Sequence, residues 1–217
     1  LRTISAYLPH ALIATIVVLT AWLGYQHYAT NRAIDRARQV GDMVVLGPPQ
    51  ADLTVVAFFD YNCPPCATVG KTLTKVMKNR RDMHVIVRPL PMLGEKSEKL
   101  AKFSIAAALQ GQFQAYHTAF LDEMTRRSKG SDGELAMGRS DALRIARKAG
   151  LNTGKLEKTA ESERVEAILA RNVGMAEQLD IAATPTYLIG PRLYTPFYGA
   201  PEPEDFHRML DAVQPAS

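Results

Sequence analysis

The fold is decided by the stretch Leu53-Thr54-Val55-Val56-Ala57-Phe58-Phe59-Asp60-Tyr61-Asn62-Cys63-Pro64-Pro65-Cys66. Its first seven residues are β-branched, aromatic or small and nearly all apolar, which predicts a central strand covered on both faces. Residues 67–79 then carry apolar side chains at helical spacing, and residues 84–87 have the composition of a second strand. This order predicts a βαβ unit in which the two cysteines lie where the first strand meets the helix.

Helical patterns dominate the next part of the chain, from about residue 96 to residue 179. The apolar positions recur at spacings of three and four in residues 101–109, 113–124, 142–149 and 165–179. Strand character returns at residues 186–189 and 193–195, before a last amphipathic helix carrying Phe206, Met209, Leu210 and Val213. We therefore predict an α/β domain over residues 43–217, interrupted by a helical insertion at about 96–179.

The N-terminal segment, residues 1–29, is typical of a membrane-directed helix. No Asp, Glu, Lys or Arg occurs between Thr3 and Asn31, and Trp22, Tyr25 and Tyr28 would form an aromatic belt at the outer end. We interpret the segment as a retained anchor rather than a cleaved signal, because no small-x-small cleavage site follows Leu23. Residues 30–42 are charged and compatible with a helix, and we interpret them as a stalk that ends before the turn at Gly47-Pro48-Pro49.

The sequence predicts a periplasmic or extracytoplasmic location, but the charges that flank the apolar segment point the other way. Arg2 is the basic residue before the segment, whereas Arg32, Arg36 and Arg38 follow it. The positive-inside rule would place that second group in the cytoplasm.

The charge and the cysteine content of the chain exclude some classes of function. The 26 basic and 22 acidic residues give a net charge of +4, and the two signs are mixed along the chain, which predicts a solvated surface and no nucleic-acid binding. There are only two cysteines, three positions apart, so no framework of structural disulfides is possible. The two thiols are expected to act as a pair.

The position of this pair predicts redox chemistry. The start of a helix carries unpaired N–H groups and a partial positive charge, which stabilise a thiolate at Cys63, and Cys66 one turn later can attack a mixed disulfide. A zinc site is poorly supported, because His84, His117 and His207 lack ligand-pair spacing. A purely structural disulfide would close so short a loop that it would stabilise little.

Two motifs, Phe58-Phe59-Asp60-Tyr61-Asn62-Cys63-Pro64-Pro65-Cys66 and Ala183-Thr184-Pro185-Thr186-Tyr187-Leu188-Ile189-Gly190, resemble the DsbA-like thiol-disulfide oxidoreductases of bacterial envelopes. The resemblance implies a thioredoxin fold with the helical insertion and a cis bond at Thr184-Pro185, whose backbone would face the substrate. It implies no cofactor beyond the redox-active cysteine pair and no metal. The partners that it implies are exported proteins and a membrane or soluble redox partner.

Two positions depart from the family pattern. Ala57 stands where many members have a buried Glu that moves the proton of the resolving thiol, and Asp60 is a candidate substitute. The dipeptide Pro64-Pro65 is also unusual, and Pro65 has no N–H to offer the Cys63 thiolate. We further expect Pro65 to delay the start of the helix by one residue.

The sequence thus predicts an enzyme that exchanges disulfides with exported proteins, with oxidation somewhat favoured over isomerisation or reduction. The alternative is a metal-handling or assembly module that uses the two thiols without turnover. Tyr116-His117 is interpreted as a packed or surface pair rather than as a catalytic partner of a cysteine.

Overall fold

The computed structural model describes residues 2–41, 44–48, 50–129, 136–190, 192–194 and 202–213. The helices in these ranges are α1 (Arg2–Arg38), α2 (Pro64–Asn79), α3 (Glu95–Leu109), α4 (Phe113–Lys129), α5 (Arg139–Lys148), α6 (Thr153–Ala160), α7 (Glu163–Gln178) and α8 (Pro203–Asp211). The strands are β1 (Val44–Leu46), β2 (Leu53–Phe59), β3 (Met83–Pro89), β4 (Thr186–Ile189) and β5 (Arg192–Tyr194).

The strands form one sheet in the order β1-β3-β2-β4-β5. β2 and β3 are parallel, as the βαβ prediction requires, whereas the other neighbours are antiparallel. β2 lies in the middle of the sheet, and residues 55–59 are each at most 3% exposed. The prediction of a central strand covered on both faces is confirmed. The fold is a thioredoxin-like α/β fold with a mixed sheet.

The helical insertion runs from α3 to α7, between β3 and β4. Four of its helices match the predicted patterns, but α6 was not predicted. α6 has eight residues and buries only Leu156 and Ala160, so it is too short to show a clear period. β1 was missed for the same reason, because its three residues carry no alternation. Pro49, Thr195 and Asp42, which belonged to the predicted turn, strand and stalk, lie outside the described residues.

α1 is a single continuous helix with two different environments. Its segment Leu12–Arg38 is long and apolar enough to cross a membrane, and its large apolar side chains between Leu12 and Tyr28 are all more than half exposed. The last turns pack on the domain instead, since Ala33 and Ala37 are fully buried and contact is made with α7. Residues 30–38 of the predicted stalk are therefore the end of α1, while the predicted domain boundaries stay a prediction.

Candidate active site

The two cysteines lie at the first turn of α2. Cys63 occupies the cap position with an extended backbone, and Pro64 and Pro65 are the first two helical residues. The expected delay of the helix start is therefore wrong. A proline in the first turn has its φ already set for a helix, and its missing N–H would have had no partner inside the helix.

The two thiols differ in exposure. Cys63 is 6% exposed and Cys66 is fully buried, whereas Pro64 and Pro65 between them are exposed. Both cysteines are free thiols. Cys63 is largely covered because the segment immediately before β4 approaches it closely.

That approach is made by the predicted Thr184-Pro185 motif. The bond between these residues is cis, as the resemblance implies. The Cys63 thiol donates a hydrogen bond to the carbonyl oxygen of Thr184 at 3.3 Å. The structure thus brings together Cys63, Cys66, Thr184 and Pro185, which are separated by about 120 residues along the chain.

The acidity of the two thiols is shifted in opposite directions. The pKa of Cys63 is lowered to about 7, mainly because its thiolate accepts a hydrogen bond from the Cys66 thiol, with smaller contributions from the Cys66 N–H and the Thr184 side chain. Burial and the negative charge of Asp60 act against this shift. The pKa of Cys66 is raised, first by burial and then by its contacts with Cys63. At neutral pH, Cys63 is the thiol that can ionise.

Asp60 holds the loops around the cysteines together. Its Oδ1 accepts from the N–H of Asn62 at 2.7 Å, and its Oδ2 accepts from the N–H groups of Met92 at 2.7 Å and Leu93 at 3.1 Å. The side chain is buried, and both carboxylate oxygens are committed to backbone donors. Its role as a tuning residue stays a prediction, but its charge opposes the ionisation of Cys63.

Asn62, which sequence reasoning missed, fixes the other side of the same loop. Its side-chain amide donates to the carbonyl of Met137 at 3.1 Å, and its Oδ1 accepts from the Met137 N–H at 2.7 Å. Both residues are buried. This reciprocal pair joins the residue before Cys63 to the helical insertion, and no local sequence pattern reveals a partner 75 positions away.

Tyr116 and His117 are both buried, which confirms that they are a packed pair. The His117 Nδ1 lies 2.9 Å from the Tyr61 hydroxyl, and its ring stacks on Phe113 with centroids 5.1 Å apart. Burial lowers the pKa of His117 to about 4, so its imidazole is neutral at neutral pH. His117 therefore contributes to the site through aromatic packing and not through charge.

Ala57 is almost fully buried beside the cysteine turn. It pairs with Tyr187 of β4, and the two residues border an internal space of only about 10 Å³. The Tyr187 hydroxyl is buried without a hydrogen-bond partner among the described residues, and its pKa is raised by burial and then by the charges of Cys66 and Cys63. Sequence reasoning did not single out Tyr187 as a site residue, although it lies within the second motif.

Comparisons with known proteins agree with this geometry. A solved thioredoxin-like oxidoreductase from Silicibacter pomeroyi is 31% identical and superposes with a TM-score of 0.68, covering 79% of this chain and 91% of that one. The catalytic domain of ScsC from Proteus mirabilis, 21% identical, superposes with a TM-score of 0.71 over 85% of this chain and 96% of its own. The thiol-disulfide exchange protein α-DsbA2 from Wolbachia pipientis, 20% identical, superposes with a TM-score of 0.67 over 85% of this chain and 97% of its own.

A fold of this kind with a paired-cysteine turn is that of a thioredoxin-like oxidoreductase, the class of the 31% identical protein from Silicibacter pomeroyi. A family model described as thioredoxin matches residues 39–212, so the chain belongs to the thioredoxin family.

Curated relatives include the Na⁺/H⁺ antiporters NhaA 3 of Salinispora tropica and NhaA 1 of Salinispora arenicola, each 24% identical over 200 residues. Those matches cover 83% of this chain but 29% of each antiporter, so the chain spans less than a third of these relatives. Among the residues that the structure describes, no group of three or more His, Cys, Asp or Glu side chains is placed to hold a metal ion.

Proposed function

We propose that the protein exchanges disulfides with exported proteins on the extracytoplasmic side of a membrane, through the Cys63-Pro64-Pro65-Cys66 turn. The observation that carries the proposal is the contrast between the thiols: Cys63 has a pKa lowered to about 7 and a small exposed area, whereas Cys66 is fully buried with a raised pKa. A nucleophilic thiol needs thiolate character and access, and only Cys63 has both.

In the oxidising direction, a substrate thiolate attacks the Sγ of Cys63 in the disulfide form. A mixed disulfide forms and Cys66 leaves as a thiolate, which takes up a proton. A second substrate thiolate then attacks the substrate sulfur of the mixed disulfide, so Cys63 leaves as a thiolate. The substrate has lost two electrons and the enzyme has gained them, and a membrane or soluble redox partner must remove them before the next cycle.

Thr184 and Pro185 are proposed to present their backbone to the substrate. The Thr184 carbonyl that contacts the Cys63 thiol at 3.3 Å is a main-chain acceptor beside the reacting sulfur. An extended substrate segment that pairs with this backbone would place its cysteine against Cys63 by main-chain hydrogen bonds, which give affinity without demanding one sequence.

Oxidation is proposed ahead of isomerisation and reduction, with a small driving force. A stabilised Cys63 thiolate stabilises the reduced enzyme and so makes the disulfide more oxidising. Because the pKa of Cys63 is lowered only to about 7, which is also the value for thioredoxin, we expect a reduction potential nearer to that of thioredoxin, roughly −270 mV, than to that of DsbA, roughly −120 mV. α1 is proposed as the anchor that keeps the domain at the membrane.

The deciding experiment uses the full chain in nonionic detergent with a chelator present. We expect it to oxidise a reduced two-cysteine peptide in a glutathione buffer, and Cys63→Ser to show only the uncatalysed rate. Tight Cu(I) binding by a chain that does not accelerate exchange would instead support a metal-handling module.

A further inference from the structure

The hydroxyl of Tyr187 is a polar group that the fold buries without a partner. The side chain is 2% exposed, and no described residue forms a hydrogen bond with its Oη. A buried hydroxyl in this position has lost its contact with water and gained nothing in return, so such groups are rare in native proteins and call for an explanation. Tyr187 takes no part in the exchange steps given above.

The ring of Tyr187 is held next to the cysteine turn by β2, α8 and the start of β4. In the sheet, Tyr187 pairs with Ala57 of β2, the strand that leads into the cysteine turn. The ring meets Phe206 of α8 edge-on, with the centroids 5.3 Å apart. The Thr184 carbonyl, just before β4, accepts from the Cys63 thiol at 3.3 Å, so the beginning of this strand is fixed against the turn.

The Tyr187 hydroxyl is close enough to both sulfurs to respond to their charge. After burial itself, a negative charge on Cys66 and then one on Cys63 raise the pKa of Tyr187. Among the described residues that border the small space beside Ala57 and Tyr187, no Asp or Glu competes for the hydroxyl proton. The phenol therefore stays protonated at neutral pH and is available as a hydrogen-bond donor.

Cys66 is the sulfur that most needs such a donor. When a substrate thiolate bonds to the Sγ of Cys63, the bond between the two cysteines breaks, and its electron pair stays on Cys66 as a buried thiolate. Burial is the main reason that the pKa of Cys66 is raised, and it outweighs the Asp60 backbone and the Thr184 side chain, which act to lower it. A buried charge is costly unless hydrogen bonds satisfy it. The Cys63 sulfur cannot supply one, because it is then bonded to the substrate and carries no proton.

We propose that the Tyr187 hydroxyl donates a hydrogen bond to the Cys66 thiolate while the mixed disulfide exists. The proposal rests on the disulfide exchange proposed above and adds a donor to it. The phenol keeps its own proton, and the hydrogen bond ends when Cys66 takes up a proton from water. In the opposite direction, the same contact stabilises the Cys66 thiolate that attacks the mixed disulfide.

A donor without a partner in the dithiol form stabilises the charged intermediate selectively. Because the hydrogen bond is gained only when Cys66 carries charge, it lowers the barrier without first stabilising the resting protein. Tyr187 would thus speed exchange in both directions and leave the equilibrium between disulfide and dithiol almost unchanged.

The test compares two variants that each remove one buried hydroxyl. Tyr187→Phe removes the proposed donor. Tyr116→Phe is the matched control, because the Tyr116 hydroxyl is also buried without a described partner, but it lies on α4, where the pKa of Tyr116 is raised by burial and by Tyr61 rather than by a cysteine.

The full chain in nonionic detergent, in its disulfide form, is mixed with a reduced two-cysteine peptide. Acid quenching and separation of the species by mass give the rate of the first exchange step. The unfolding temperature of the reduced protein and its equilibrium with glutathione are measured for the same three proteins.

We expect Tyr187→Phe to exchange about ten- to a hundredfold more slowly than the wild type, because a hydrogen bond to a charged group is lost. Tyr116→Phe should exchange at the wild-type rate. The unfolding temperature of Tyr187→Phe should not fall, because the hydroxyl that it removes has no partner in the dithiol form, and its equilibrium with glutathione should stay close to that of the wild type.

An exchange rate of Tyr187→Phe equal to that of the wild type, or an equal loss of rate in Tyr116→Phe, would overturn the proposal. So would slow exchange that comes with a lower unfolding temperature or a shifted glutathione equilibrium, because that result would indicate a packing role. A wild type that does not exchange at all would instead refute the proposed function, and the role of Tyr187 with it.

Discussion

The outer side of the cysteine turn, which carries Cys63, and the inner side, which carries Cys66, give the two thiols opposite properties. On the outer side, Cys63 meets Thr184 and is flanked by exposed prolines. On the inner side, Cys66 lies in a core that includes Tyr187, with no exposed area. The pKa is lowered at the first position and raised at the second because the inner thiol both donates to the outer thiolate and is itself desolvated.

The largest expected effect comes from removing one thiol at a time. Cys66→Ser should trap mixed disulfides with a substrate peptide that carries a disulfide, because the Cys63 thiolate can still displace one sulfur of that bond and no Cys66 thiol remains to resolve the adduct. Cys63→Ser should trap none. Non-reducing electrophoresis with mass spectrometry of the adduct distinguishes the two. Adducts through Cys66 in the Cys63→Ser variant would show that the roles are reversed.

Alkylation of the reduced protein tests the difference between the thiols directly. Cys63 should react with a half-maximal rate at about pH 7, and the rate should fall about tenfold per pH unit below it, because only the thiolate reacts. Cys66 should stay unlabelled in the folded protein, and peptide mapping after brief labelling reads both sites. In denaturant the two cysteines should become equivalent, so a preference that persists there would refute a structural cause.

Asn62→Ala should weaken the attachment of the residues just before Cys63 to the helical insertion. It leaves the buried N–H and C=O of Met137 without their partner, which we expect to cost about 2–4 kcal/mol of unfolding free energy. Asn152→Ala is the matched control, because that residue also accepts from a backbone N–H but caps an exposed helix end, worth about 1 kcal/mol. Urea denaturation should rank the two variants, and equal losses would contradict the importance of the Met137 pair.

The smallest expected effect comes from substitutions in the dipeptide Pro64-Pro65. Pro65→Ala restores an N–H that the Cys63 thiolate can accept from, and Pro65→His adds an imidazole as well, so the pKa of Cys63 should fall in the order wild type, Ala, His. The disulfide should become more oxidising in the same order, by about 30 mV for each tenfold change in the exchange equilibrium. Thiolate absorbance against pH and glutathione equilibria measure both, and an unchanged or raised pKa in Pro65→His would contradict the donor argument.

The sequence predicts those parts of the fold that repeat a long pattern or carry a motif. β2 was predicted because seven successive residues share one composition, and Thr184-Pro185 was placed beside Cys63 because the resemblance implies it. α6 and β1 are too short to show a period. Contacts such as Asn62 with Met137 and Arg88 with the end of α1 depend on tertiary packing across 75 and about 50 positions, which no local pattern encodes.

If α1 is the anchor that we propose, its unbroken course fixes the distance between the catalytic domain and the membrane. A flexible linker would let the catalytic domain sample a broad volume above the membrane, with a reach that grows with the square root of its length. Here α1, the proposed membrane anchor, also packs on α7, so the domain would turn only as the helix turns. For a chain anchored as proposed, Cys63 would be held at one height and facing one direction. Substrates would then be met in a thin layer close to the lipid surface.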